Sequence, residues 1–459
     1  LDRSERLGDE KVTKRPNVVY VFSDQHRAEA ASYKGNPDVK TPNMDRLAEE
    51  SIHFTTAVAG YPVCCPSRAS LITGQYAQTH GVFVNDVPLG NKAVSIAEAF
   101  KRGGYQTAYI GKWHLDGNGR SSYIPQERRQ GFEYWRVLEC THNYNNSLYY
   151  GDGPEQQVWD GYDAEAQTNC AMDYIRSRRG SEEPFLLMLS WGPPHNPYET
   201  APQKYKDMYD PNTLTLRPNV PSELADKTRA ELAGYYAHIS ALDDLLGKLM
   251  RGLEEEGLYE DTVFVYTSDH GDMLGSQGQR RKQRPWDESI LVPLLLRYPA
   301  RFGREGRAVS MPINTPDLMP TLLGLCGLEI PGSVEGIDYT PYLLGERSSD
   351  VEGTLIQCFH PFGEWLRSEG GREFRGIRTE RYTYVRNLQG PWLLYDNEED
   401  PYQLNNICGQ ESFRQLQMRL DEILQAHLAE RKDDFLHGDA YIQLWGYQVD
   451  KNGTVPYTK

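Results

Sequence analysis

The 459-residue chain has no uninterrupted apolar run of the roughly 18 to 20 residues that a membrane-crossing helix needs, so membrane insertion is not expected. Cysteine is sparse: seven in all, with Cys64 and Cys65 adjacent, Cys140, Cys170, Cys326, Cys358 and Cys408 single, and no C-x-x-C pair. Spacing of that kind excludes a disulfide scaffold and a Cys-rich zinc site. The odd count leaves at least one thiol outside any intramolecular disulfide. Positive charge is in deficit, 49 Lys and Arg against 65 Asp and Glu, for a formal net charge of -16. Nucleic acid and anionic membranes are bound by basic stripes, so neither is expected as a partner, and an anionic substrate would need a local basic pocket. Internal repeats and low-complexity tracts are absent from the sequence. The first residues, LDRSERLGDEKVTKRP, are charged and lack the apolar centre of a signal peptide. The numbering starts at Leu1 instead of Met. A periplasmic or secreted protein whose export signal precedes this numbering is therefore the expectation, with the cytoplasm left open.

What is present is a hydrophobic content of 39%, enough for one large core and a smaller second one. Through the first three quarters, short β-branched or aromatic runs alternate with polar turns and helical stretches. That alternation predicts an α/β fold, a large and mostly parallel sheet sandwiched by helices. The clearest strands are Asn17–Phe22, Gln106–Ile110, Phe185–Leu189 and Thr262–Thr267. Helices are expected at Met44–Glu50 and at Leu232–Glu256, where Tyr236, Ile239, Leu242, Leu246 and Met250 recur at helical spacing. His238 inside the second helix reads as structural. Near residue 345 the character becomes antiparallel, with short strands at Phe374–Ile377, Tyr382–Val385 and Trp392–Tyr395 and then a helix over Ser412–Arg431. The expected organisation is a catalytic domain over residues 1–345 and a smaller α+β subdomain over 346–459.

Each of the four strands is followed by residues with chemistry. Asp24 and Gln25 follow the first, Lys112 and His114 the second, His195 the third, and Asp269 and His270 the fourth. Ligands in open α/β sheets bind beyond the carboxyl ends of the strands, so the four tips point to one site. Taken singly, an Asp after a strand is more often a helix cap or turn former. Two carboxylates, an amide oxygen and an imidazole together suit calcium, or magnesium, better than zinc, with manganese also possible. Arg68, Lys112 and Lys282, with His114 and His195, form a cationic set able to hold a tetrahedral oxyanion and neutralise its oxygens during transfer. Lys282 lies in the basic run QRRKQR, which by itself also reads as a solvated loop.

The stretch VCCPSRASLITG, Val63 to Gly74, resembles the signature of the type I sulfatases of the alkaline phosphatase superfamily, in which the first cysteine of C-x-P-S-R becomes formylglycine. The resemblance runs on through PNVVYVFSDQ, TPNMDRLAEES, GYQTAYIGKWH, PPHNPY, TSDHGDMLG and LYDNEEDPYQLNN. It implies that Cys64, oxidised by a formylglycine-generating maturase, is the nucleophile and also touches the metal. It implies Asp24, Gln25, Asp269 and His270 as metal ligands, usually for calcium, with Asp269 helping to deprotonate the attacking hydroxyl. Arg68 would steady the formylglycine hydroxyls, and Lys112 and Lys282 would bind sulfate oxygens. His195 would be the acid for the leaving alcohol and His114 the base for the elimination that releases sulfate. The free N–H groups and dipole of a helix N-terminus suit that chemistry.

Two positions depart from the common pattern, since many sulfatases carry Asp-Asp at the first tip and Asp-Asn at the last. Losing one carboxylate predicts weaker binding of a hard cation. The Asp-Gln and Asp-His pairs also resemble phosphonate monoester hydrolases, an alternative reading as a phosphonate or phosphodiester hydrolase. Lys112 and His114 in GKWH favour the sulfatase. A third reading, a silent glycan-binding relative, is opposed by the full set of reaction-centre residues. Asn85, His360 and Glu364 are candidates for substrate contact, or else ordinary loop residues. The 30 tyrosines and eight tryptophans fit a sulfated carbohydrate, because aromatic rings pack on sugar faces, although most rings belong to the core. An acidic protein is repelled by a long sulfated polymer, which predicts removal of sulfate from a chain end or an oligosaccharide.

Overall fold

The computed structural model describes residues 15–348 and 350–457. The charged segment 1–14, read above for targeting, lies outside them. Among the described residues the main sheet has ten strands. Its centre is five parallel neighbours: Thr262–Ser268, Asn17–Asp24, Phe185–Pro194, Gln106–Lys112 and Tyr134–Leu138. Leu294–Arg297 joins one side antiparallel, followed by Ile52–Phe54 and Arg307–Val309. Leu148–Tyr150 and Gln156–Val158 extend the other side, also antiparallel.

The central strand explains its own sequence. A parallel strand covered on both faces needs apolar side chains at every position. Accordingly Val18, Tyr20 and Phe22 enter one core while Val19 and Val21 enter the other. Helices Cys64–Thr73, Ile96–Arg102 and Thr315–Leu325 cover the first face, and Asp163–Ser177 and Ala225–Glu255 the second. The long helix starts seven residues before Leu232, the first residue of its apolar periodicity, because its opening turns are solvated. His238 is fully buried with Nδ1 2.8 Å from the Tyr162 hydroxyl, as a structural histidine should be.

The C-terminal sheet is antiparallel and runs Thr354–Cys358, Phe374–Arg378, Tyr382–Asn387, Gly390–Asp396. Its first strand, TLIQC, carries no alternation because both faces are covered, and periodicity alone did not mark it. One face packs Leu355, Ile377, Tyr384 and Leu394 on Leu420, Leu424 and Leu428 of helix Arg414–Glu430. The other packs Ile356, Cys358, Phe374 and Val385 on Val58 and Ile290 of the main domain. The last helix, Gly438–Trp445, returns to the main core through Tyr441 and Ile442.

That return rests on one buried ion pair. The Arg375 and Asp433 side chains are both fully buried and bonded through the arginine Nε, with the guanidinium 3.8 Å from the centre of the Phe359 ring. Removing one partner of such a pair strands the other charge in a medium that cannot solvate it. Asp433→Ala is expected to cost about 3 to 5 kcal/mol, read as a fall in the urea midpoint. A midpoint equal to wild type would show that solvent reaches Arg375.

Asp163 opens the helix behind the Lys112 strand and accepts from Ser147 Oγ at 3.0 Å. Burial pushes its carboxyl up to about 7. The native state therefore keeps a proton that the unfolded chain gives up near pH 3.9, so this group's contribution to stability falls as pH rises from about 4 to 7 and is then constant. Asp163→Asn lacks that penalty. Its melting temperature relative to wild type is expected to climb across the same window and level off above it, a difference on the order of 4 kcal/mol. Parallel pH profiles for the two proteins would refute the assignment.

Candidate active site

The four parallel strands bring their tips together. Ser23 lies opposite Ser268 in the register, and the Asp269 N–H donates to Ser23 O at 3.2 Å, so Asp24 and Asp269 leave the sheet side by side. Both side chains are almost completely buried. Arg68 bridges them, Nη2 to Asp24 Oδ2 at 3.3 Å and Nε to Asp269 Oδ2 at 3.0 Å. Its third nitrogen donates to Lys112 O and Ser190 Oγ, both at 2.8 Å, which fixes the fork against two neighbouring strands. Lys112 Nζ reaches Asp24 Oδ2 at 2.6 Å.

Cys64 enters from the other side as the first residue of helix Cys64–Thr73, all ten residues of which are buried. Val63 at the N-cap supplies no side-chain acceptor, and Asn85 Oδ1 takes the Cys65 N–H at 3.1 Å in its place. Cys64 Sγ lies 3.2 Å from His270 Nε2, 3.2 Å from Lys282 Nζ, 3.6 Å from Asp24 Oδ1 and 3.9 Å from Lys112 Nζ. Burial and Asp24 push this thiol up, but Lys112, Lys282 and His270 outweigh them and hold it well below the usual thiol range. The thiol sulfur marks where the oxygens of a formylglycine hydrate would stand.

The same neighbours set the other charges. Burial would lift Asp24, yet Lys112 above all, then His195, Lys282 and His270, keep it well below the carboxylate range. Asp269 is raised, by burial and by Asp24. His195 is pushed well down by burial and by Lys282. Its Nδ1–H is anchored on Asn196 O at 2.7 Å, which turns Nε2 to Lys282 Nζ at 2.9 Å as an acceptor. Burial lowers His114 too, but Cys140, Cys65 and a bond to Asp86 lift it well above the imidazole range.

The donor set fits a divalent cation. Ligand atoms of Asp24, Cys64, Asp269 and His270 lie within 4.8 Å of one another. His270 gives its Nδ1–H to Gly271 O at 2.9 Å and so presents Nε2, 3.5 Å from Asp24 and 3.6 Å from Asp269. Gln25 Oε1 faces the same space, 3.0 Å from Lys282 Nζ. Two carboxylates, an amide oxygen and an imidazole match a hard or borderline ion.

Of the residues read from the sequence, the structure thus gathers Asp24, Gln25, Cys64, Arg68, Lys112, His195, Asp269, His270 and Lys282. His114 stands beside Cys65 and hydrogen-bonds Asp86 at 3.3 Å, not Cys64. Glu364 comes within 3.9 Å of Lys282. The His360 ring is packed against Gly438 and Gly453, away from the centre, while its carbonyl accepts from Gln283 Nε2 at 3.0 Å. The Asn85 side-chain oxygen caps the helix that begins at Cys64.

Three residues were not picked out by sequence reasoning. Asp86 is gripped by Arg120 at 2.9 and 2.8 Å while it holds His114. The exposed His142 stacks on His195 with ring centres 4.6 Å apart and planes at 9°. Asp272 is fully buried against Gln25. Only Asp272 carried a local signal, two residues beyond His270 in DHGD.

Comparison with known proteins accords with this geometry. A family model described as Sulfatase matches residues 16–328, and one described as N-sulphoglucosamine sulphohydrolase, C-terminal, matches 275–430. The ulvan-active sulfatase of Formosa agariphila is 45% identical over 450 residues, covering 96% of this chain and 87% of the relative. An endo-4-O-sulfatase of Bacteroides thetaiotaomicron is 30% identical over 463 residues, with 85% and 88% covered. The crystal structure of a yidJ protein from Bacteroides fragilis superposes with a TM-score of 0.84 at 29% identity, covering 95% of this chain and 99% of that one. Matched by the Sulfatase model over most of its length and carrying the motifs in one buried site, the chain belongs to the type I sulfatases of the alkaline phosphatase superfamily, which hydrolyse sulfuric esters.

Proposed function

We propose that this sulfatase removes O-sulfate from a sulfated carbohydrate at a chain end or on a short oligosaccharide, with Cys64 converted by a maturase to formylglycine. A divalent cation, calcium first and magnesium or manganese as alternatives, would be held by Asp24, Gln25, Asp269, His270 and residue 64. The observation that carries the reading is the surround of Cys64: one buried atom within 4 Å of two lysines, an imidazole and a carboxylate, at a helix N-terminus. The relatives above are named as an ulvan-active sulfatase and an endo-4-O-sulfatase, which supports a sulfated carbohydrate as the substrate class, while the second name speaks for endo action in that relative. The net charge of -16 supports the preference for short substrates over a long polyanion.

Formylglycine, as its hydrate, supplies two hydroxyls, one to attack sulfur and one whose deprotonation expels sulfate. The cation, when bound, supplies positive charge for the sulfate oxygens. The chain's own groups do the rest. Lys112 and Lys282 flank the nucleophile and neutralise charge on the oxygens of the transferring group. Arg68 holds Asp24 and Asp269 in place, and Asp269, the carboxylate that burial and Asp24 raise, is the one suited to accept the hydroxyl proton. Lys282 donates a hydrogen bond into His195 Nε2, so a proton for the leaving alcohol would have to pass from Lys282 to that atom before His195 could deliver it. His114 favours its protonated form, which suits it to donate to a sulfate oxygen; the base role that the resemblance implies would require it to give up that proton first.

Sulfate release is measured from sulfated mono- and oligosaccharides, ulvan oligosaccharides among them, alongside an aryl sulfate and a phosphonate monoester, on protein whose Cys64 peptide mass shows the aldehyde. Release from a sugar, abolished in Cys64→Ala and suppressed by chelation until calcium is restored, is the expected result. Fast phosphonate cleavage with silent sugars would favour the phosphonate hydrolase, and desulfation spread along intact polymer would replace end action with endo action. Lys282→Met is expected to lower kcat about 100- to 1000-fold. A change confined to KM would assign Lys282 to ground-state binding instead.

A further inference from the structure

Gln25 occupies the position where many sulfatases place a second aspartate, and an amide is an ambiguous ligand. Its oxygen binds a cation and its NH2 repels one, so one of the five proposed ligands depends on which end faces inward. The neighbours decide. On the inner side Lys282 Nζ, a group with donors only, lies 3.0 Å from one end of the amide, which must therefore be the oxygen. On the outer side Asp272 Oδ2, a carboxylate oxygen, lies 2.6 Å from the other end, which must be the NH2. Asn196 Oδ1 and the Tyr198 hydroxyl stand behind it at 3.5 and 3.4 Å.

Asp272 is held in turn. Tyr198 donates its hydroxyl to the same Oδ2, and the Leu274 N–H donates to Oδ1 at 3.0 Å. The residue is fully buried, and no lysine or arginine forms an ion pair with it among the described residues. The backbone of Gln25 is fixed as well. Its φ is 74°, in the left-handed region that a glutamine rarely adopts. Its N–H donates to Asp269 Oδ1 at 3.1 Å and its carbonyl accepts from Tyr235 at 2.7 Å.

We infer that Asp272 is a positioning residue for the metal: by taking the Gln25 NH2 on the outer side it locks the amide with its oxygen inward. The inference rests on the metal reading proposed above.

A Glu at position 25 has no NH2 to give Asp272, so the bond that turns the ligand oxygen inward is lost. Calcium affinity is measured by competition with a chromophoric chelator, and by the calcium-dependent rise in melting temperature, for wild type, Asp272→Asn, Gln25→Glu and the double variant. The full chain is used in the unconverted Cys64 form, so no readout depends on turnover. Asp272→Asn is expected to weaken calcium binding about 10-fold or more, the usual effect of losing a group that orients a ligand. Gln25→Glu should bind no tighter than wild type although it adds a charged ligand. The double variant should bind more tightly than either single one, because the amide introduced by Asp272→Asn can donate to the new carboxylate.

Wild-type affinity in Asp272→Asn would overturn the inference. So would tightening by Gln25→Glu whatever stands at position 272. If Asp272→Asn loses its fold, seen as a lowered melting temperature without calcium, Gln25→Glu alone still decides. The absence of saturable calcium binding by wild type, by contrast, would bring down the metal reading itself.

Discussion

The structure depends on placing two carboxylates, Asp24 and Asp269, side by side where water cannot reach them. Such a pair is unfavourable unless positive charge is supplied at fixed positions. Arg68 answers both with one planar fork, Lys112 answers Asp24 from the next strand but one, and His270 stands between them. The arrangement presumes neighbouring parallel strands in register, because only then do the two carboxylates emerge together. It also presumes a helix that arrives end-on, so that Arg68 and Cys64, one turn apart, reach the same point.

The C-terminal sheet takes part in this balance. Lys282 lies in a loop whose next residue, Gln283, donates its backbone N–H to Pro62 O at 3.0 Å, just before the nucleophile helix. The side chain of Gln283 holds His360 O, and Arg284 Nη1 donates to Glu364 O at 2.6 Å. Glu364 then faces Lys282 itself. The loop HPFGEW thus buttresses the lysine that touches Cys64, Gln25 and His195. This accounts for the close packing of the second sheet on Val58 and Ile290.

Much of this was legible in the sequence, and for particular reasons. NVVYVF and TVFVYT read as strands because a doubly covered parallel strand is apolar at every position, and their tips announced the site because polar residues follow them at once. Cys64 and Arg68 were legible through their fixed spacing in C-x-P-S-R. Strand Thr354–Cys358 was not, since five buried residues without alternation have no period to detect. His142 was equally silent, as an isolated histidine whose partner is 53 positions away. Asp86 and Asp272 were not singled out, and His360, read as a substrate candidate or else an ordinary loop residue, has its ring against two glycines.

The sequence by itself determined the sheet's central strands, the residue types at their tips and the family motif that sets Cys64 four residues before Arg68, because each is written in local order: period, adjacency and motif spacing. The tertiary structure alone decided which atoms of those residues face one another. The inward turn of the Gln25 oxygen, the approach of Lys282 to His195 Nε2 and the raised proton affinity of His114 are each set by partners distant in the chain. Hydrogen-bond direction and proton affinity are properties of contacts, and contacts between residues so far apart exist only once the chain has folded.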